Sequence, residues 1–218
     1  MLRADLHIHT SFSPDGQASP QDVVARCLEV DLSCIAITDH NTIAGALEAQ
    51  RNASIHIIVG EEVMAREGEV MGLFLKEEVP RGLSALETME AIKEQGALVC
   101  IPHPFDRFRS GLLRRAPWEE LLPLVDMVEV YNARTFLPGD NRMAQEFAER
   151  HGLVATVGSD AHAPGELGRT YLEMPDFDDT AQGFMRSLRS ARLVRRRANP
   201  LYRLSSTCER LRGLLRHA

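Results

Sequence analysis

Short apolar runs alternate along the chain with stretches whose apolar positions recur at helical spacing. The β-rich runs are Arg3–His9, Ser33–Thr38, Ile55–Glu61, Glu69–Leu75, Ala97–Pro102, Met127–Tyr131 and Val154–Gly158. Between them lie helices with recognisable ends. Ser19 and Pro20 form an N-cap followed by proline at the first helical position, and Val23, Val24, Cys27 and Leu28 then share one face. Ser84 and Glu87 make a capping box before Leu86, Met89 and Ile92, with Gly96 closing the helix. Asp140 caps a third helix that buries Met143, Ala144 and Phe147 and stops at Gly152. Strand–helix alternation of this kind predicts an α/β fold with mainly parallel strands, and its compactness predicts a small barrel rather than two domains.

One segment breaks the pattern. Pro104–Trp118 holds two prolines, a glycine, four arginines (Arg107, Arg109, Arg114, Arg115) and little periodicity, and is expected to be a long loop covering a site. The chain has 218 residues, 44% of them hydrophobic and 26% charged, which excludes disordered and fibrous classes. Four cysteines without a CxxC pair argue against a disulfide framework or a structural zinc knuckle. With no apolar run long enough to cross a membrane and no leader-like start, the expectation is a soluble, cytoplasmic protein. The net charge of −6 is unevenly divided. Residues 186–218 carry ten arginines against one acid, Glu209, whereas residues 1–185 carry 15 basic and 30 acidic side chains. The chain is therefore expected to comprise a catalytic domain over 1–185 and a basic extension over 186–218.

Histidines and acids gather at strand ends. In Asp5-Leu6-His7-Ile8-His9-Thr10, positions i and i+2 of a strand point the same way, so His7 and His9 project together. Asp39-His40 follows a second strand, Glu61-Glu62 a third, His103 the run ending at Pro102, and Asp160 with His162 the run ending at Gly158. The C-terminal ends of parallel barrel strands are where active sites form. Acids and imidazoles buried together without a cation would be costly, so the pattern points to divalent metals.

The stretches Asp5–Thr10, Ser13-Pro14-Asp15-Gly16, Ile37-Thr38-Asp39-His40-Asn41, Gly60-Glu61-Glu62, Pro102-His103-Pro104 and Gly158-Ser159-Asp160-Ala161-His162 together resemble the PHP (polymerase and histidinol phosphatase) superfamily of metal-dependent phosphoesterases, in that family's order. The resemblance implies a distorted (β/α)7 TIM-like barrel with two or three divalent ions: zinc, manganese or iron, or else magnesium. Carried over by position, His7, His9, Glu61 and Asp160 hold one ion. Glu61 bridges to a second, completed by His103 and Glu69, while Asp15, His40 and His162 hold a third. The family usually has histidine where Glu69 stands; glutamate's harder oxygen tilts that site toward manganese, iron or magnesium. Adjacent ions bring a bound water's pKa near neutrality and supply hydroxide for attack at phosphorus. Asp160 and His162 are the expected catalytic groups beside that water, and Asp5 and Asp39 are expected to orient histidines rather than bind metal.

Substrate contacts are expected from Arg107 and Arg109 on the loop and from Asn132 and Arg134 after a strand, since guanidinium suits bidentate phosphate recognition. The implied activity is hydrolysis of a phosphate ester of a small metabolite, nucleotide or short oligonucleotide. Histidinol-phosphate phosphatases share the motifs in longer chains. Metal-dependent amidohydrolases also begin with HxH but often use a bridging lysine, and no lysine here sits at a strand end; a non-catalytic metal-binding module would have lost ligands. The basic extension reads as an amphipathic segment that docks on the acidic barrel or mediates an oligomer contact, with polynucleotide binding through Arg195-Arg196-Arg197 as the other reading.

Overall fold

A computed structural model describes residues 1–109 and 116–198 of the chain. Nine strands form one mixed sheet: β1 Leu2–Ile8, β2 Cys34–Ile37, β3 His56–Met64, β4 Glu69–Leu73, β5 Leu98–Ile101, β6 Met127–Asn132, β7 Val154–Gly158, β8 Tyr171–Met174 and β9 Arg192–Val194. Their order is β7-β6-β5-β4-β3-β2-β1-β8-β9. The sheet curls until β7 nearly meets β1: Ile8 bridges Ala161, and the His9 amide donates to the Ala161 carbonyl at 2.8 Å. Seven strands thus make a nearly closed barrel, to which β8 and β9 add an antiparallel flap on the far side of β1.

All seven expected strands are present, but the architecture exceeds the expected (β/α)7 barrel. β4 runs antiparallel to both β3 and β5, and β8 and β9 are additional. The two extra strands escape a periodicity reading because they hold only four and three residues. The expected domain boundary after residue 185 falls inside helix α6 (Ala181–Leu188), and β9, beyond it, pairs with β8. Most of the proposed basic extension, residues 199–218 with Cys208 and His217, lies outside the described residues, as do Arg114 and Arg115.

The other helices are α1 Pro20–Glu29, α2 Ala44–Gln50, α3 Ala85–Glu94, α4 Trp118–Leu121 and α5 Pro138–His151. α1 is capped by the Ser19 side chain, which accepts from the Asp22 amide; it buries Val23 and Cys27 but leaves Leu28 half exposed. The capping box of α3 forms as expected, Ser84 Oγ accepting from the Glu87 amide and Glu87 accepting from the Ser84 amide. α5 corrects its expected start. The cap position is Leu137, and Asp140, inside the first turn, accepts instead from the Arg107 side chain at 2.8 Å. Ala144 and Phe147 are buried, but Met143 faces outward. Gly152 ends the helix with φ 65°, a left-handed conformation that glycine adopts without a Cβ penalty.

The helices cover a single core in which Leu6, Ile8, Ile35, Ile37, Met71, Ile101 and Phe184 are almost wholly buried. No helix among the described residues is long and apolar enough to cross a membrane.

Candidate metal centre

The barrel rim gathers the strand-end residues into one buried cluster. His7 on β1 and His9 just beyond it share a face, with their Nε2 atoms 3.1 Å apart. β3 contributes Glu62. Its Oε1 lies 2.9 Å from His103 Nε2, and its Oε2 lies 3.2 Å from His40 Nδ1 and 3.4 Å from both His7 Nε2 and His9 Nε2. Strand alternation puts the neighbouring side chain on the opposite face. Glu61 accordingly turns away and accepts from the Val79 amide at 2.9 Å, its pKa pushed up by burial to about 7. The structure therefore seats Glu62, not the expected Glu61, in the cluster.

The antiparallel register of β3 and β4 explains the place of Glu69. It lies opposite Met64, which shares the inward face with Glu62, so its carboxylate approaches His103 Nε2 at 3.8 Å. Asp160 Oδ1 lies 3.5 Å from His9 Nε2 and 3.7 Å from His7 Nε2. On the outer side, Asp15 Oδ1 approaches His162 Nε2 at 3.4 Å and His40 Nε2 at 3.7 Å. Four sets of possible ligand atoms are each mutually within 4.8 Å: His7–Glu62–His103, His7–His9–Asp160, His9–His40–His162 and His40–Glu62–Glu69. His103 (φ 25°) and Asp160 (φ 54°) occupy left-handed backbone conformations, which cost a non-glycine residue of order 1–3 kcal/mol each. The fold accepts that strain at two members of the cluster.

Charge follows from this crowding. Burial works to raise the Glu62 and Asp160 carboxyls, but His7, His103 and His40 around Glu62, and Arg109 with His7 around Asp160, hold both well below the usual range. His9 is driven well below the usual imidazole value by burial and by His162 and His40. Glu69 is raised by burial and by the Glu62 charge. Burial works to lower the His7 and His103 imidazoles, but Glu62 and Glu129 around His7, and Glu62 and Glu69 around His103, raise both, so a bound cation would displace protons from them.

The donor set fits divalent cations on a separate ground. Glu62 Oε2, Asp160 Oδ1, Asp15 Oδ1 and Glu69 Oε2 are buried and accept no hydrogen bond. Buried carboxylate oxygens without donors are expensive, and shared cations remove that cost. A cavity of about 200 Å3 lined by Asp15, His40, Glu69 and Arg81 gives access from outside.

Supporting residues fix the imidazoles. Asp39 accepts from the Thr10 amide and hydroxyl and from Ser13 Oγ at 2.6–2.7 Å, and Ser13 Oγ lies 3.1 Å from His9 Nδ1. Asp5 accepts from the Ser159 amide at 3.0 Å and sits under His7, burial raising its pKa to about 7. Both acids thus lie behind histidines. Three further residues have no role assigned from the sequence. Glu129 Oε1 is 3.1 Å from His7 Nδ1, and its Oε2 accepts from the His103 amide and from Asn132 Nδ2. Glu166 accepts from the His162 amide, and Ser13 joins Asp39 to His9. Glu129 left a signal, being the lone charge in the otherwise apolar Met127–Val130 run.

The four expected substrate residues divide. Arg109 enters the cluster, its Nη2 2.6 Å from Asp160 Oδ2. Arg134 is buried between Glu166, 3.3 Å away, and the His162 ring. Asn132 is likewise buried, donating to Glu129 and Asp160. Arg107 is half exposed and paired with Asp140, away from the cluster.

A family model described as PHP-associated matches residues 138–193. Two uncharacterised proteins of Methanocaldococcus jannaschii are 39% and 34% identical to the chain. The alignments cover 61% of this chain with 82% of the first protein, and 81% with 72% of the second. The fold is shared with a two-domain protein of Bacteroides vulgatus that contains a predicted PHP-like metal-dependent phosphoesterase (TM-score 0.73, 20% identity, 89% of this chain and 65% of that one). The chain belongs to the PHP superfamily. The fold also resembles that of a lesion-specific endonuclease of Pyrococcus furiosus (TM-score 0.68, 16% identity, 88% of this chain and 57% of that one). A 5'-3' exoribonuclease of Haemophilus influenzae is 33% identical over 43% of this chain and 36% of that protein.

Proposed function

We propose that this PHP chain is a divalent-metal-dependent phosphoesterase acting on a small phosphorylated metabolite, a nucleotide or a short oligonucleotide. The observation that carries the reading is the convergence of five imidazoles on buried carboxylate oxygens that no donor satisfies. His7, His9, Glu62 and Asp160 would hold one ion, and Glu62, His103 and Glu69 a second. Asp15, His40 and His162 would hold a third. Glu62 would take the place first expected of Glu61, because it alone of the two faces the cluster. Manganese, iron or magnesium suits a set in which four ligands are carboxylates. When bound, such ions neutralise charge on a phosphoryl group and acidify water.

The chain's own residues account for the remaining chemistry. Arg109, held at Asp160, offers a forked guanidinium to phosphate oxygens. Asp160 orients the attacking water, whose oxygen bonds to phosphorus as the ester P–O bond breaks. With only the first two sites filled, His162, steadied by Arg134 and by the amide contact to Glu166, would take the proton that this water gives up and pass it to the departing oxygen. The nuclease relative and nuclease structural neighbour support including short oligonucleotides among the substrates.

The test is a screen of phosphomonoesters, bisphosphorylated nucleotides and short oligonucleotides with manganese, with and without chelator. Turnover that chelator abolishes is expected on at least one class. Its absence on all of them overturns the proposal.

A further inference from the structure

A second cavity, of about 300 Å3, opens between the end of β6, the first turns of α5 and the segment that follows β9. Its walls include Tyr131, Asn141, Arg142, Arg195 and Arg197, and among the described residues no carboxylate lines it. Among the described residues none of these arginines meets a carboxylate inside the cavity. Arg195 Nη2 donates to Gln145 Oε1 at 2.7 Å, Arg197 donates to the Phe136 carbonyl, and Arg142 meets Glu146 only on the exposed surface, at 3.8 Å.

The cavity adjoins the metal centre through the β6–α5 loop. The Ala198 amide donates to the Ala133 carbonyl at 3.1 Å, the Ala133 amide donates to the Gly158 carbonyl at 3.0 Å, and Arg134, next to Ala133 on the loop, meets His162. On the same loop Phe136 is 53% exposed and stands edge-on to Phe108, itself 64% exposed, with ring centroids 5.9 Å apart. Large exposed aromatic rings beside a cationic groove are what single-stranded nucleic acid uses, the bases stacking and the phosphates pairing with arginine. The volume holds a phosphate with its sugar rather than a lone ion.

We propose that this cavity binds a backbone phosphate of a single-stranded nucleic acid next to the one at the metal centre, with a flanking base on the Phe108–Phe136 pair. The proposal rests on the phosphoesterase reading only for where the scissile phosphate lies. It narrows the substrate class to strands of at least two phosphates.

The experiment measures binding of a single-stranded hexanucleotide with a 3' fluorophore to the full chain by anisotropy, in chelator. Failure of the proposal is thereby distinct from failure of the hydrolytic reading. The double variant Arg195→Gln/Arg197→Gln is expected to bind about tenfold or more weakly, since charge-assisted phosphate contacts are lost. Its affinity should also fall less steeply with salt, by about 0.7 in logarithmic slope per lost phosphate contact. Arg195→Lys/Arg197→Lys, which keeps the charges, should retain most of the affinity and controls for folding. Phe108→Ala, at an exposed ring, should weaken binding about fivefold or more. Arg186→Gln/Arg189→Gln removes two charges at the C-terminal end of α6, neither of which lines the cavity, and should bind as the parent does. The proposal is overturned if the Gln double variant stays within twofold of the parent or the α6 variant loses as much. It also fails if AMP or inorganic phosphate competes as well as the hexamer, which would make the cavity a site for an isolated phosphate.

Discussion

Glu129 makes three contacts behind the metal centre, and Glu129→Gln tests whether they serve it. One carboxylate oxygen faces His7 Nδ1 at 3.1 Å; the other accepts from the His103 amide at 2.8 Å and from Asn132 Nδ2 at 2.9 Å. Glutamine keeps the shape but turns one oxygen into a donor. If the new NH2 faces His103 and Asn132, donors oppose donors, and a stranded buried donor costs about 1–3 kcal/mol. If it faces His7, the ring must accept at Nδ1, which puts the proton on Nε2, the nitrogen turned toward His9 and Glu62. Either arrangement harms the site. Losing such a partner behind a ligating histidine typically reduces metal affinity 10–100-fold, or about 1.4–2.8 kcal/mol. In chelator the same change should lower Tm by about 2–4 °C for each kcal/mol lost in a chain of this size. Manganese affinity is read by competition against a chromophoric chelator, and stability by thermal denaturation. A folded Glu129→Gln protein whose manganese affinity stays within twofold of the parent would refute the argument.

Three further outcomes are expected. Glu69→Gln should bind fewer manganese ions per chain by elemental analysis, because its carboxylate faces His103 across the second site; unchanged stoichiometry would remove Glu69 from the ligand set. Gly158→Ala should lower both stability, by about 1–3 kcal/mol, and manganese affinity, since a Cβ there would lie 2.2 Å from Glu129 Oε1 and 2.5 Å from His7 Cβ. Denaturation and titration that both match the parent would show that the site absorbs a methyl group. Ser84→Ala should cost about 1 kcal/mol through the lost cap of α3. Ser84 also holds the Glu87 carboxyl below its usual range, so the carboxylate's stabilisation is present above the unfolded value near pH 4 and fades as pH falls through the lower folded value. Denaturation across that acid window should therefore show a flatter pH dependence for Ser84→Ala than for the parent.

Much of the site was legible because the barrel turns sequence into position with little ambiguity. A histidine or acid just after an apolar strand arrives at the rim whatever the rest of the chain does, and so His7, His9, His40, His103, Asp160 and His162 meet. Arg107 and Arg109 show where that logic stops. Two residues apart on a loop, one pairs with Asp140 on α5 and the other with Asp160 in the cluster, a division set by contacts with elements far along the chain.

The sequence by itself determined which elements form and which residue types reach the rim, because periodicity, caps and strand ends are local properties of the chain. The tertiary structure decided what depends on facing and register. Glu61 and Glu62 are adjacent and chemically identical, and only the pleat of β3 within the closed barrel turns one toward the Val79 amide and the other toward four histidines. Glu129 gained its place only because β6 lies between β5 and β7, bringing a lone strand charge to His7 and the His103 amide. The arginine-lined cavity exists only because the segment after β9 folds back onto the β6–α5 loop, a contact between residues more than sixty positions apart that no local pattern encodes.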